Sequence, residues 1–245
     1  MGIFKKKDNT PRCSAVILAA GSSERMGTDK AMMDLGGMPV LARTLLAFQD
    51  CPLVDDIIVV TRMEMVMEIA GLCKKYGIGK ASQVITGGAT RAESALAGVS
   101  AVRCSARLIA IHDGARPLVT KELIQRTVYA ARDSMAAVPV IQSTDTLKAV
   151  DDKGFVTGTV DRAHTVRVQT PQIFDADLIK GALTKAADSG AVITDDCSAI
   201  ERLGVRVATV EGEMNNIKLT TPGDMLFATA VLKDRGEFHA YRSWL

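Results

Sequence analysis

The chain has 245 residues, of which 47% are hydrophobic, and a formal net charge of +2. This length and hydrophobic content suit the core of one α/β domain, with or without an appendage. The small net charge argues against a nucleic-acid surface, and the 4% of aromatic residues leaves little to stack on bases. The composition therefore favours a small anionic molecule as the partner, and no nucleic acid.

The termini and the cysteines bear on the compartment. Residues 1–13 carry Lys5–Lys7 with no apolar run behind them, which predicts a disordered basic tail and not a signal peptide. No stretch approaches the length of a membrane span, so no membrane partner is expected. Five scattered cysteines outside any C-x-x-C pattern predict reduced thiols in a cytoplasmic protein. Residues 14–235 are expected to form the domain, and residues 236–245, with Trp244, a C-terminal tail.

The first half of the chain alternates short β-branched runs with amphipathic segments. The predicted strands are Ser14–Leu18, Ile57–Thr61 and Gln83–Thr86. The predicted helices run from Pro39 to Phe48, from Met63 to Tyr76 and, opened by a capping box of Thr90 and Glu93, to Val102. This alternation predicts an α/β fold, a Rossmann-like and mostly parallel sheet with helices on both faces.

The second half continues the alternation. The predicted strands are Arg107–Ile111, Ala136–Ile141 and Val205–Val210, and the predicted helices are Thr120–Ser134, Leu178–Ala187, Thr194–Leu203 and Met225–Lys233. A capping box of Thr221 and Asp224, with Pro222 at the first helical position, opens the last helix. The neighbouring carboxylates Asp195 and Asp196 are interpreted as helix caps and not as metal ligands.

Residues 142–169 differ in composition, because Thr, Val, Lys and Asp alternate there. Asp151–Gly154 predicts a hairpin turn between strands at Thr146–Val150 and Phe155–Val160. An isolated hairpin is marginal in water, so this β-arm is expected to pack on another surface, most naturally a second copy of the chain. A solvated surface hairpin is the alternative.

A loop of small and cationic residues follows the first strand. Ala19, Ala20 and Gly21 have little or no side chain, so the backbone can approach a ligand and its N–H groups can bind an anion. Arg25 and Lys30 then add a planar fork and a mobile point charge, a pairing that suits phosphoryl chemistry. The pattern matches neither a P-loop nor a dinucleotide fingerprint. An ordinary strand-to-helix loop is the alternative.

Two further loops are expected at the same edge, because ligands bind beyond the carboxyl ends of strands in such sheets. Gly87 and Gly88 precede a helix N-terminus, where the helix dipole favours polar or anionic ligands. Asp113 and Arg116 follow the fourth strand and are expected to project toward the cleft of Arg25. A well-capped helix and a turn residue are the respective structural alternatives.

Six motifs, in order along the chain, resemble one family. They are Leu18–Gly21 with Arg25 and Met26, Gly87–Arg91, His112–Pro117, Asp145–Lys148, Thr170–Gln172 and Asn216–Thr220. Between Ser14 and Leu232 they are similar to the 2-C-methyl-D-erythritol 4-phosphate cytidylyltransferase family. The resemblance implies a nucleotidyltransferase fold of the glycosyltransferase-A-like kind, CTP and methylerythritol phosphate as substrates, and Mg²⁺ or another divalent cation as cofactor.

The resemblance also implies roles for individual residues. Catalysis is expected of Arg25, Lys30, Arg162 and Lys218. CTP is expected to contact Ala19, Ala20, Gly21, Gly87, Gly88, Ala89, Arg91 and Ser94. The acceptor is expected to contact Asp113, Arg116, Thr146, Arg162, Thr170 and Lys218, with Asp113 also a candidate metal ligand. The β-arm would form a homodimer and carry Arg162 into the partner's active site.

Two other functions stay open. The shared motifs recognise CTP and a phosphate more than a carbon skeleton, so the acceptor could be another polyol phosphate such as ribitol 5-phosphate. A CTP-binding regulatory protein without catalysis is the second alternative. Four converging cations argue against it, since a sensor has no need of them.

Overall fold

A computed structural model describes residues 10–21 and 30–238 of the chain. Its strands are β1 (Cys13–Leu18), β2 (Val54–Thr61), β3 (Ala81–Thr86), β4 (Leu108–Asp113), β5 (Ala136–Gln142), β6 (Lys148–Val150), β7 (Val156–Thr159), β8 (Val166–Val168), β9 (Gln172–Asp175) and β10 (Ala208–Glu211). Its α-helices are α1 (Val40–Gln49), α2 (Val66–Lys75), α3 (Arg91–Ala101), α4 (Lys121–Ser134), α5 (Ala176–Asp188), α6 (Asp196–Glu201) and α7 (Pro222–Asp234). Short 3-10 turns lie at Met63–Met65 and Arg162–His164.

Eight strands form the main sheet, in the order β10, β5, β9, β4, β1, β2, β3, with β8 paired to β5. Strands β1 to β4 run parallel to one another, and β10 runs parallel to β5. Strand β9 runs antiparallel to both of its neighbours, β4 and β5. The predicted mostly parallel sheet is confirmed, and the carboxyl ends of β1 to β4 lie at one edge of it.

Helices cover both faces of the sheet, as predicted. In β2, Ile57 and Val59 belong to a core shared with α1, α2 and α4, whereas Ile58 and Val60 belong to a core shared with α3, α5 and α6. Because both faces are buried, β-branched residues follow one another in this strand instead of alternating with polar residues.

The predicted elements differ from the structure mainly at their ends, and strands β8 and β9 were not predicted. The helix predicted over Met63–Tyr76 begins with a 3-10 turn and becomes α-helical only at Val66. Strand β4 continues two residues beyond the predicted Ile111, because Asp113 pairs in register with Leu18 of β1. Asp113 is therefore the last residue of a strand and not part of the loop after it.

Two of the predicted helix caps can be compared with the structure in detail. Thr221 accepts from the Asp224 N–H and the Asp224 carboxylate accepts from the Thr221 N–H at 2.7 Å, which confirms the predicted capping box of α7. At α3, Thr90 accepts from the Glu93 N–H at 3.1 Å. The Glu93 carboxylate, however, accepts from the N–H of Ala89 at 2.8 Å, so the reciprocal box predicted there is wrong.

Strands β6 and β7 form a two-stranded sheet apart from the main one. The Asp151 carboxylate accepts from the N–H groups of Lys153 and Phe155 at 3.0 and 2.9 Å, which confirms the predicted hairpin turn. Phe155 and Val156 are 68% and 62% exposed. The hairpin thus leaves apolar side chains uncovered in the single chain, and its packing on a second copy stays a prediction.

The two predicted tails are partly described. Arg12 forms an ion pair with Asp55 at 2.9 Å and Cys13 begins β1, whereas residues 1–9 lie outside the described residues. At the other end residues 236–238 are described, and residues 239–245, which include Trp244, are not. Within the described ranges, no helix is both long enough and apolar enough to cross a membrane.

Candidate active site

A cleft of about 540 Å³ opens at the edge of the sheet where β1 to β4 end. It collects the loops that follow these strands and the segment before α7. The lining residues include Ala19, Ala20, Gly21, Lys30, Arg62, Gly88, Ala89, Thr90, Arg91, Ser94, Asp113, Gly114, Ala115, Lys218 and Thr220. Several loops and one distant segment therefore meet where the sequence predicted a binding site.

Backbone hydrogen bonds to neighbouring segments fix the start of the loop after β1 where it lines the cleft. The N–H of Ala19 donates to the carbonyl oxygen of Val60 at 2.7 Å, and the N–H of Gly114 donates to that of Leu18 at 2.8 Å. Lys30 lines the cleft at the far end of the same loop. Arg25, predicted to be catalytic, lies outside the described residues.

The loop before α3 packs closely against the loop after β1 and against α3. A Cβ added at Gly87 would lie 2.5 Å from Oγ of Ser94 and 3.0 Å from Cβ of Ala20, so only glycine lets these loops pack this closely. Gly88 and Ala89 line the cleft, whereas Gly87 does not. The N–H of Ala89 is used by Glu93, as described above, so the expected contact of Ala89 with CTP would have to come from other atoms of this residue.

Asp113 joins cations from three parts of the chain. One carboxylate oxygen lies 3.6 Å from Nε of Arg91, and the other lies 3.4 Å from Nε of Arg116 and 3.1 Å from Nζ of Lys218. The Asp113 side chain is only 10% exposed. Its contacts bring together four of the residues that the sequence predicted for CTP and acceptor binding.

These charges decide the ionisation of Asp113. Burial by itself would raise its pKa, but the positive charges of Lys218, Arg91 and Arg116 outweigh burial and lower the pKa to about 2. Asp113 is therefore a carboxylate near neutral pH, and its negative charge holds together cations that would otherwise repel one another.

Arg91 is held by a carboxylate that the sequence reasoning missed. Its two terminal nitrogens donate to the two oxygens of Asp196 at 3.0 and 2.8 Å, and the Asp196 side chain is 1% exposed. Burial disfavours the charge on Arg91, but the Asp196 carboxylate prevails and raises the pKa of the guanidinium. Asp195 does cap α6, but the interpretation of Asp196 as a second cap is wrong. The only signal was the pair of adjacent carboxylates.

A buried chain of hydrogen bonds, here called the relay, connects Asp113 to Thr170, in the segment that follows the β-arm. The N–H of Asp113 donates to Oγ of Thr170 at 3.1 Å, and this hydroxyl lies 2.9 Å from Nδ1 of His112. Nε2 of His112 lies 3.3 Å from the carbonyl oxygen of Arg116. Burial lowers the pKa of His112 to about 3, so the ring is neutral, and the relay assigns its proton to Nε2.

The segment before α7 places Lys218. The N–H of Leu219 donates to the carbonyl oxygen of Ala115 at 2.8 Å, and Arg116 donates to that of Asn216 at 2.7 Å. The buried Asn216 side chain donates to the carbonyl oxygen of Thr170 at 2.8 Å. The end of β4 with its following loop and the segments carrying Thr170 and Lys218 are therefore tied to one another through backbone groups.

Five described residues that were predicted for the site do not line the cleft in the single chain, Gly87 and four others. Arg116 lies behind Asp113, and Thr170 is buried with its hydroxyl engaged in the relay. Thr146 and Arg162 are exposed on the β-arm. A direct contact of any of the five with a substrate stays a prediction. Conversely, Arg62 lines the cleft and was not predicted, although its position directly after β2 is a signal that could have found it.

The described residues offer little to a metal ion by themselves. No group of three or more Asp, Glu, His or Cys side chains within the described ranges could hold one. Asp113 is a carboxylate of the cleft, and both of its oxygens face cations. Mg²⁺ commonly binds through one or two carboxylates and substrate phosphates, and Asp113 suits only that mode.

Known proteins share this fold and much of this sequence. A 4-diphosphocytidyl-2C-methyl-D-erythritol synthase from Anaerococcus prevotii superposes with a TM-score of 0.81 at 34% identity, covering 91% of this chain and 97% of that one. A 2-C-methyl-D-erythritol 4-phosphate cytidylyltransferase from Thermus thermophilus gives 0.74 and 33%, covering 91% and 99%. The Halalkalibacterium halodurans protein with that name is 42% identical over 224 residues, 91% of this chain and 97% of the relative.

The fold and the cationic cleft, with these likenesses, define an enzyme of the nucleotidyltransferase class, and within it a cytidylyltransferase. The model of the 2-C-methyl-D-erythritol 4-phosphate cytidylyltransferase (IspD) family matches residues 13–234. The chain therefore belongs to that family. Residues 235–238 of the described structure lie beyond the match.

Asp113→Asn should lower the free energy of unfolding at pH 7 by about 2 kcal/mol, because the pKa of Asp113 is about 2 in the folded protein against 3.8 as its ordinary value. Since the folded-state pKa is depressed, the difference between wild type and variant should be full above about pH 5 and mostly lost by about pH 2. Urea unfolding across this range measures it, with exposed Asp188→Asn as control. A difference independent of pH would contradict the charge argument.

Asp196→Asn should cost about 3 to 5 kcal/mol of unfolding free energy, because it removes the buried carboxylate that accepts both hydrogen bonds from the terminal nitrogens of Arg91. The double variant Arg91→Met with Asp196→Asn should lose less than the sum of the two single variants, since it removes both partners. Chemical denaturation of the four proteins measures the coupling. Additive losses would mean that the pair contributes no specific interaction.

Proposed function

We propose that this protein transfers CMP from CTP to 2-C-methyl-D-erythritol 4-phosphate, releasing pyrophosphate, in the non-mevalonate synthesis of isoprenoid precursors. The observation that carries the proposal is the convergence of Lys30, Lys218 and the Asp113 cluster on one cleft beside a loop of small residues. Family membership supports CTP and this acceptor as the substrates.

The reaction needs cations more than it needs a base. An oxygen of the acceptor phosphate forms a bond to the α-phosphorus of CTP, and the bond from that phosphorus to the bridging oxygen breaks, so that pyrophosphate leaves. The nucleophile is already an anion near neutral pH, so no proton has to be removed. Alignment of two anions and stabilisation of charge at phosphorus are the remaining requirements. His112 fits this account, because it is buried and neutral with both ring nitrogens engaged.

CTP is assigned to the loops after β1 and β3. Ala19, Ala20 and Gly21 would approach the triphosphate through their backbone, and Lys30 with Arg25 would neutralise it. Gly88, Ala89, Arg91 and Ser94, with Gly87 supporting them, would face the base and ribose. The guanidinium of Arg91 is already oriented by Asp196, so little freedom is lost when a ligand arrives.

The acceptor phosphate is assigned to Lys218, to Asp113 at the end of β4 and to Arg116 in the loop that follows. Lys218 is 44% exposed at its side chain, so Nζ can exchange the Asp113 oxygen for a phosphate oxygen. Thr170 could add a hydroxyl donor if it gave up one bond of the relay. Arg162 and Thr146 are assigned to the same phosphate from the β-arm of a second subunit, because the single chain holds them outside the cleft.

A divalent cation such as Mg²⁺ would arrive with the triphosphate. Asp113 is the carboxylate placed to contact it, and phosphate oxygens would supply most of its other ligands. When bound, the cation neutralises charge on the phosphates. With the cation bound, the Asp113 carboxylate would balance part of its positive charge in addition to that of Lys218, Arg91 and Arg116.

Two further parts of the proposal concern assembly and compartment. A homodimer through the β-arm would cover the exposed Phe155 and Val156 and bring Arg162 to the partner's cleft. All five cysteines are free thiols, and Cys104 is the one that is exposed, which suits the reducing cytoplasm.

Lys30→Ala and Lys218→Ala should each lower pyrophosphate release about a hundredfold or more, since each removes a cation aligned with developing charge. The assay supplies Mg²⁺ and CTP with methylerythritol phosphate or, in parallel, ribitol 5-phosphate. We expect wild type to prefer methylerythritol phosphate, and Lys185→Ala, at an exposed position of α5, to retain full activity. Preference for ribitol 5-phosphate would overturn the acceptor, and CTP binding with no release would favour a regulatory protein.

Mixing two inactive variants tests whether Arg162 acts on the partner subunit. Arg162→Ala and Lys30→Ala homodimers should each be nearly inactive. After subunit exchange, about a quarter of wild-type activity should return, because half of the dimers are mixed and each mixed dimer has one intact site. Analytical ultracentrifugation confirms the dimer independently. No recovery despite proven exchange would place Arg162 in the cleft of its own chain or outside the site.

A further inference from the structure

A small third core lies beneath the two lysines of the cleft. It joins the loop after Lys30, the Lys218 segment and α7. Its buried members are Leu35, Val40, Leu118, Leu219, Ala228, Val231 and Leu232, with Met33, Ile217, Met225 and Phe238 packed against them. Phe238 is the member that lies beyond the residues matched by the family. The core beside the Lys30 loop thus includes a side chain that lies outside the residues matched by the family.

The loop that carries Lys30 is a compact hairpin-like turn. The N–H of Leu41 donates to the carbonyl oxygen of Ala31 at 3.0 Å, and the N–H of Val40 donates to that of Met33 at 2.9 Å. The N–H of Leu35 closes the tip by donating to the carbonyl oxygen of Met38 at 2.8 Å. These hydrogen bonds would transmit a displacement of the tip to the backbone next to Lys30.

Arg43 of α1 anchors the tip of this loop. Its guanidinium donates to the carbonyl oxygens of Leu35 at 2.6 Å, Gly36 at 2.8 Å and Glu237 at 3.3 Å. Arg43 is 8% exposed, and burial lowers its pKa. A buried guanidinium requires its acceptors, because losing them leaves charged donors unpaired away from water. Arg43 thus joins the loop tip to the segment after α7.

Phe238 presses on the same tip. A Cβ added at Gly36 would lie 2.9 Å from Cδ2 of Phe238 and 3.1 Å from a terminal nitrogen of Arg43. Gly36 also has a φ of +66°, which favours glycine. Nζ of Lys233 also lies over the ring, 5.0 Å from its centroid. Loop tip, arginine and aromatic ring therefore form one contact that admits no side chain at position 36.

We propose that Phe238 is a positioning residue for the reaction: it clamps the Gly36 tip, together with Arg43, and so holds Lys30 at a fixed place relative to Lys218. The inference rests on the proposed function for its kinetic consequence, but its structural half stands on the loop contacts alone. It gives a role to the segment after α7, for which the sequence offered none.

Phe238→Ala should loosen the Lys30 loop without unfolding the domain. Backbone hydrogen exchange in residues 30–41 should become about tenfold faster, while exchange in β4 stays unchanged. The kcat/KM for CTP should fall about tenfold, and the KM for the acceptor should change less than about twofold, since Lys218 is fixed separately by Ala115. Phe238→Leu should restore most of both properties, because it keeps an apolar side chain on the tip.

Two further variants make the test decisive. Gly36→Ala disrupts the same contact by adding a Cβ on the loop, while the Phe238 ring is kept. It should cause the same faster exchange in residues 30–41 and the same fall in kcat/KM for CTP as Phe238→Ala. Tyr129→Ala removes an exposed aromatic side chain from α4 and should change neither exchange nor kinetics. Unchanged exchange in residues 30–41, or a rise spread evenly over all peptides, would overturn the proposal. If wild type releases no pyrophosphate, the proposed function fails, while the exchange data still decide whether Phe238 holds the loop.

Discussion

The carboxylate of Asp113 is the interaction on which the arrangement of the cleft depends. It ends a central strand, and the cations around it come from α3, from the loop after β4 and from the segment before α7. Without this negative charge, Arg91, Arg116 and Lys218 would face one another in a poorly solvated space. A site built to attract phosphates must concentrate positive charge before any phosphate is present, and one buried carboxylate makes that concentration stable.

Helix α1 fixes the positions of two loops of the cleft through hydrogen bonds. Thr44 donates to the carbonyl oxygen of Gly114 at 2.9 Å, next to Asp113, while Arg43, one residue earlier, holds the tip of the Lys30 loop. Neighbouring residues of one rigid helix thus fix the loops after β1 and β4. The helix therefore sets the spacing of the groups assigned to the triphosphate and to the acceptor.

Local patterns in the sequence predicted the parallel sheet, its two helical layers, the α7 capping box and the loops that line the cleft. Each of these depends on periodicity or on residues a few positions apart. The Arg91–Asp196 pair could not be predicted in this way, because its members are 105 residues apart. The burial of Thr170 against His112 likewise depends on an antiparallel strand, β9, inserted beside β4, which no periodicity reveals.

If Lys218 binds the acceptor phosphate as proposed, its ion pair with Asp113 makes that binding an exchange of one anion for another. Lys218 must break its ion pair with Asp113 before it can pair with a phosphate. The net electrostatic gain on phosphate binding is therefore smaller than for a lysine that was surrounded by water. The ion pair between Asp113 and Lys218 forms again when the product leaves. Under that proposal, the Lys218–Asp113 ion pair would lower the affinity for phosphate and favour release of product.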